Sequence, residues 1–316
     1  MTNRTTTAPF SGASARRTTL PPRPRRAKVK AAEKTMQIVF LLCALVAVAF
    51  VLLISVYLIL SGLPAIREVG LREFLFGRTW ASTRAEDPRF GILPMMLTSI
   101  YGAAGAIVLG VPLGFFTAVF LAKAAPPRLA AVIRPAVNLL AGIPSVVYGL
   151  VGMTVLVPLL REKLDLPAGD SLLAAVIVLA VMILPSVISV SEAALSAVPR
   201  EYEEASLALG ATAMETYLRV TAPAARSGIA AAVVLGVGRA IGEAMAILMV
   251  AGNVANMPSL FSSVRFLTTG IAIEMNYAAP GSLQRQALFS IGLVLFLFIM
   301  LINVLLNLVL KGDKRK

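Results

Sequence analysis

Histidine is absent from this 316-residue chain. No imidazole can act as general base, zinc ligand or proton relay, so His-dependent hydrolases and His-based metal sites are excluded. Cysteine occurs once, at Cys43, which rules out an intrachain disulfide and a Cys-rich metal site. Cys43 follows Leu42 inside an apolar run, so a buried structural thiol is expected there and not a lipid-attachment site. Charge is scarce at 14% of residues, where a soluble domain carries about 25%. No Gly-x-x-x-x-Gly-Lys-Ser/Thr phosphate loop is present, so no ATP chemistry is expected on this chain. Paired carboxylates within the apolar runs are also missing, which argues against an intramembrane enzyme.

What remains is 58% hydrophobic, with a mean hydropathy of +0.85. That composition fits a polytopic membrane protein. Met36 to Leu60 carries no charge and is long enough to cross a bilayer as an uncleaved helix. Further apolar stretches lie at 97–122, 132–160, 171–191, 228–253 and 287–310. The expectation is an all-α fold with six transmembrane helices in a domain spanning 36–310. A basic tail at 1–35, read as disordered, and a basic tail at 311–316 flank it.

The net charge of +13 sits mostly in those tails, where few aromatics interleave. Basic tails beside apolar spans fit topology signals and not a nucleic-acid surface. The N-tail, 123–134, 192–227 and the C-tail together hold 19 Lys/Arg, whereas 61–92, 161–170 and 254–286 hold 9. The richer set is expected on the cytoplasmic side, with both termini inside. Trp80, in an outside segment, is expected at the membrane interface.

Small residues recur in the spans. Gly110-xxx-Gly114 and Gly238-xxx-Gly242 permit close helix approach. Pro144, in Gly142-Ile143-Pro144-Ser145, is the best candidate for a break that exposes polar backbone. Ser145 and Tyr148 beside it can donate to a solute or simply pack. Ser186, Ser189 and Ser191 are expected to bond back to their own helix.

Two segments are not merely apolar. Within 192–227, Glu203 to Leu209 favours helix and Gly210 suits a left-handed cap. Thr212 and Glu215 then have capping-box spacing, and Pro223 is the expected stop. The result is a helix, a glycine turn and a short helix, which reads equally as a docking element or a solvated hairpin. In the fifth span, Arg239 and Glu243 are the only charges between Ile229 and Arg265. At i, i+4 they can share a helix face, as a locking ion pair or as part of a polar pathway. A guanidinium fork suits a tetrahedral oxyanion, and a carboxylate tolerates one only if it keeps a proton. Phosphate keeps a proton at neutral pH and sulfate does not, so the pair favours phosphate.

The segment Glu204-Ala205-Ser206, with Gly210 and Pro223, resembles the EAA loop of ABC-importer permeases. Ser206 stands for the second Ala, and Ala222 for the Leu before the proline. The resemblance implies a type I importer permease fold. It also implies that Thr212, Ala213, Met214, Glu215, Tyr217 and Arg219 form a helix that docks on an ATPase subunit. Gly236 to Ala246, with Phe90-Gly91-Ile92-Leu93-Pro94 and Gly142 to Gly149, is similar to the C-type permease of Pst-type phosphate importers. Ala244 stands where Thr is usual.

That likeness implies transport roles for Arg239 and Glu243. It also implies an A-type permease mate, a homodimeric ABC ATPase carrying ATP and Mg, and an extracellular or periplasmic phosphate-binding protein. The expected setting is the bacterial inner membrane. Sulfate or molybdate importers are the alternative cargo reading, and a stand-alone channel or carrier is a more distant one.

Overall fold

The computed structural model describes residues 26–84 and 86–312. The described residues divide into two units, one ending at Ile54 and the other beginning at Ser55. Helix α1 runs Arg26–Val69, so residues 26–35 of the expected tail are helical, and residues 1–25 lie outside the described residues. Every described side chain from 33 to 54 is exposed, including Cys43. The expectation of a buried thiol is not met: among the described residues the Cys43 side chain is exposed. Exposed apolar helix of this length calls for lipid or another subunit.

The remaining elements belong to the second unit. After α2 (Leu71–Phe76) comes a two-residue hairpin, β1 (Trp80–Ala81) with β2 (Arg89–Phe90), antiparallel with Trp80 opposite Phe90. Helix α3 (Leu93–Val119) ends in a π-helical turn at Phe120–Ala124. Helix α4 (Pro127–Gly142) and α5 (Ser145–Val151) follow, and α5 continues through a π turn into α6 (Val157–Lys163). Helix α7 (Leu172–Ser196) starts with a Ser171 side-chain cap on Ala174 N–H. Then come α8 (Arg200–Ala208), α9 (Ala213–Thr216), a π turn at Tyr217–Thr221 and α10 (Ala222–Ala224). Last are α11 (Arg226–Gly242), α12 (Met245–Val250), α13 (Leu267–Glu274) and α14 (Leu283–Gly312).

Among the described residues, five helical stretches are long and apolar enough to cross a membrane: Glu33–Val69, Leu93–Ala124, Ser145–Lys163, Leu172–Ser196 and Leu283–Leu305. Arg226–Gly242 meets that test only together with Ala213–Ala224, from which it is bent by 74°, and the number is six when the pair is counted as one span. Two expected spans are thus interrupted. The stretch 132–160 breaks at Ile143-Pro144, because proline has no N–H to continue the ladder. The stretch 228–253 breaks at Glu243-Ala244.

Helix α7 is the central element. In lipid, burial of apolar groups gives little driving force, so close approach must do the work. A Cβ on Gly110 would meet Ile183 Cδ1 at 2.8 Å, and one on Gly114 would meet Val187 Cγ1 at 2.7 Å. Those glycines let α3 lie against α7. Gly238 and Gly242 differ: a Cβ on either meets nothing within 4 Å among the described residues, so no close approach is seen there.

Polar contacts sort by the charge-defined segments. Lys123 pairs with Glu203 and Arg134 with Glu192, both at 2.6 Å, joining 123–134 to 192–227. On the other side, Ser263 Oγ donates to Asp170 Oδ2 at 2.7 Å, and Trp80 and Ser82 donate to Glu274. Among the described residues, 123–134 thus contacts 192–227, and 61–92 and 161–170 both contact 254–286, with the tails outside this comparison. Trp80 is half-buried, and its ring packs edge-on against Phe90.

A candidate oxyanion pathway and a docking hairpin

In an unbroken helix the residue at 144 would donate to Leu140 O, and proline cannot. At the break Ile143 N–H donates to Leu140 O at 3.3 Å instead. Tyr148 supplies a second donor, its hydroxyl reaching Leu140 O at 2.7 Å. That hydroxyl is therefore spent on the backbone, and its role as a solute donor would require releasing Leu140. Ser145, the first residue of α5, is half-buried.

The second break arises at Glu243. Its backbone turns extended, at φ −73° and ψ 133°, and its carboxylate Oε1 accepts from Ala246 N–H at 3.0 Å. Glu243 thus caps the start of α12 instead of lying on the face of α11. Thr268 Oγ1 donates to the Glu243 carbonyl at 2.7 Å, satisfying the group freed by the break. The two broken helices meet: a Cβ on Gly149 of α5 would sit 2.9 Å from Ala246 Cα and from Met249 Sδ of α12. Tyr148 packs on the same cluster as Ala246 and Ile247.

Arg239 lies one turn before the second break and is half-buried. The sequence placed Glu243 as its possible ion-pair partner, but among the described residues no carboxylate lies within 4 Å of Arg239. The i, i+4 register is lost because the helix ends at Gly242. Its one side-chain hydrogen bond among the described residues is a long one, 3.4 Å, from Nη1 to Ser186 Oγ. A guanidinium has five donors, so most of this one's capacity is unused by protein. Ser186 therefore faces a cation and not its own helix. Ser191 Oγ is buried without a hydrogen-bond partner among the described residues, also against the expectation of backbone bonding.

The segment 200–224 forms the expected hairpin with one difference. Gly210 adopts φ +87°, the left-handed cap. Both arms of the capping box are made: Glu215 N–H donates to Thr212 Oγ1 at 3.3 Å, and Thr212 N–H to Glu215 Oε2 at 3.1 Å. The backbone and side-chain hydrogen bonds from Thr212 hold the Glu215 carboxyl below its usual range. Burial opposes that shift and Arg219 assists it. Ser206 and Thr216 hydroxyls, 2.9 Å apart, close the hairpin. The chain does not stop at Pro223 but bends at Ala225.

Glu204, Ala205, Thr212, Ala213, Met214, Arg219 and Pro223 are exposed, and Tyr217 packs underneath against Ala222 and Leu195. Leu209 is 90% exposed and Met214 58%, which puts bare apolar side chains at the tip of a polar loop. That combination suits a protein partner.

Sequence reasoning missed Lys123 and Glu274. Lys123 anchors the hairpin through Glu203. Glu274 accepts from Trp80, Ser82, Arg265 and Gln284 on the opposite set of segments. No local pattern signals either, since the partners of Glu274 include residues 194 and 192 positions away.

A half-buried cation one turn before a helix break, in a chain with several membrane-length apolar helices and an exposed helical hairpin, fits a membrane transport protein. Residues 110–312 match the family described as binding-protein-dependent transport system inner membrane component, and the chain belongs to that family. It is 42% identical over 270 residues to a probable ABC transporter permease protein of Bacillus subtilis, covering 83% of this chain and 87% of that one. It is 34% identical over 283 residues to the phosphate transport system permease protein PstC of Haemophilus influenzae, covering 83% and 88%. Among solved structures, an inward-facing MetNI methionine ABC transporter superposes with a TM-score of 0.53 at 20% identity, covering 70% of this chain and 94% of that one. The fold is thus the type I importer permease fold, in a multi-pass membrane protein.

Proposed function

We propose that this chain is a permease subunit of an ATP-driven phosphate importer and that Arg239 lines the route of the ion. The observation that carries the proposal is a half-buried guanidinium with one long hydrogen bond and no carboxylate within reach. Leaving such a cation unpaired within a membrane span costs roughly 2.5–3.5 kcal/mol on insertion scales, which a passing anion offsets. Relatives named as phosphate transport permeases, at 32–34% identity over most of the chain, support phosphate as that anion.

Glu243 supplies a reason for phosphate over sulfate. Its Oε1 is used by Ala246, while its other oxygen receives no hydrogen bond among the described residues. A free carboxylate oxygen repels a fully ionised oxyanion and accepts from one that retains a proton. Ser145 is a further candidate contact.

The Thr212–Arg219 segment docks on a homodimeric ABC ATPase, which carries ATP and Mg. An A-type permease is the mate, and the open faces of Gly238 and Gly242 suit a close helix from it. An external phosphate-binding protein delivers the ion. The docking hairpin and both termini lie in the cytoplasm, as the excess of Lys/Arg in those segments argues.

In transport, closure of the ATPase dimer moves the hairpin, the permease pair opens outward, phosphate enters past Arg239, and hydrolysis returns the pathway to the inside. Binding along the route must be weak enough for release. The test is uptake of labelled phosphate by the reconstituted complex, competed with sulfate and molybdate. Phosphate alone should compete at comparable concentration. Equal competition by the other oxyanions overturns the assignment of cargo.

A further inference from the structure

We infer that Glu274 is a positioning residue that fixes α12, the short helix behind Arg239, to the hairpin β1–β2 on the outer segments. The inference rests on the importer reading only for the presence of an external binding protein.

Helix α12 has six residues, too few to hold its place alone. Both of its ends are clamped to α13, and its carboxyl end is held by α7 as well, where Ser171 N–H donates to Val250 O at 3.1 Å. At the start, Glu243 caps α12 while Thr268, on α13, holds the Glu243 carbonyl. At the end, Asn253 adopts φ +59° and donates from Nδ2 to Leu248 O at 2.7 Å. Asn253 O in turn accepts from Arg265 Nε at 2.7 Å, and Arg265 Nη1 donates to Glu274 Oε1 at 2.6 Å. Glu274 is the last residue of α13.

The carboxylate of Glu274 is saturated. Oε1 also accepts from Trp80 Nε1 at 2.8 Å, and Oε2 accepts from Ser82 Oγ at 2.6 Å and Gln284 Nε2 at 3.3 Å. A carboxylate with four donors and little solvent contact is a strong, directional joint. It ties the hairpin, α13, α14 and the return loop from α12 to one point. A displacement of the hairpin moves Glu274, then Arg265 and Asn253, and so the carboxyl end of α12. A partner pressing on the outer segments can thereby shift the element that follows Arg239.

The experiment uses the complete complex of both permeases and the ATPase in nanodiscs. ATP hydrolysis is measured with and without phosphate-loaded binding protein. Glu274→Gln turns one acceptor oxygen into a donor facing Ser82 and Gln284. Trp80→Phe keeps the ring packing and removes a single donor. In assembled complexes, both should raise basal hydrolysis and cut the stimulation factor, by about fivefold for Glu274→Gln. Hydrogen exchange at residues 245–251 is read in parallel and should quicken by a similar factor.

Assembled complexes with unchanged stimulation and unchanged exchange overturn the inference. So does a Glu274→Gln complex that fails to assemble while Trp80→Phe leaves exchange unaltered, since Glu274 is then a staple of the fold alone. If wild type is not stimulated by the phosphate-binding protein, the importer reading fails. The exchange at 245–251 then still decides the role of Glu274.

Discussion

Lys123 Nζ lies 2.6 Å from Glu203 Oε1, and the two side chains are only 11% and 17% exposed. Thr221 Oγ1 donates to the same oxygen at 3.1 Å. One carboxylate therefore joins the end of α3, the first helix of the docking hairpin and the π turn that follows its second helix. A shielded pair of this kind is costly to break on one side, because the remaining charge is left without a partner.

Lys123→Glu should keep ATP hydrolysis but lower phosphate uptake per ATP by about tenfold, within the usual range of coupling free energies. The double exchange Lys123→Glu with Glu203→Lys should restore most of it. Uptake per ATP that is normal in the single variant removes the pair from the coupling route.

Gly210 separates backbone from side-chain effects. Its φ of +87° is unfavourable for residues with a Cβ, yet a Cβ there meets nothing within 4 Å. Gly210→Asn should retain the ATPase subunit on co-purification, since Asn tolerates the left-handed region. Gly210→Val should lose much of it, with a backbone cost of roughly 1–2 kcal/mol. Equal behaviour of the two variants contradicts the left-handed cap as the cause.

The capping box gives a pH dependence. The folded Glu215 carboxyl is held below its unfolded value by Thr212, so its contribution is present above the unfolded carboxylate range. It is lost as pH falls through the lowered folded value. Amide exchange at Ala213–Thr216 should quicken under acid relative to the rest of the hairpin. In Glu215→Gln that acid-specific change should vanish. Its persistence in the variant assigns the effect to another group.

Tyr148→Phe tests whether the hydroxyl serves the backbone or the solute. Loss of the bond to Leu140 O should cost about 1 kcal/mol of stability, read as a lower melting temperature of the purified complex. The half-saturating phosphate concentration should hold. A large rise in that concentration with unchanged melting temperature would make Tyr148 a contact of the ion.

How far the sequence disclosed all this depended on range. The capping box of Thr212 and Glu215, the Gly210 turn and the Pro144 break are local, each set by one or two neighbouring residues, and they were legible. The break at Glu243 was not, because Glu, Ala and Met are good helix formers and nothing in their order forbids continuation. It is held by Thr268, 25 positions away. The Glu274 joint draws on residues 80 and 82, and no pattern within a window of helix or strand length reveals it. Arg239 stood out from its apolar surroundings, but its lack of a carboxylate partner became visible only once α11 was seen to end before Glu243.

The most direct measurement is phosphate uptake by the assembled complex carrying Arg239→Gln, with binding-protein-stimulated ATP hydrolysis recorded alongside. The account predicts that the complex assembles and hydrolyses ATP while uptake falls at least about a hundredfold, the scale of a lost charged contact of about 3 kcal/mol. Near-normal uptake by Arg239→Gln, or a complex that cannot assemble without the guanidinium, would contradict the placing of Arg239 on the ion's route.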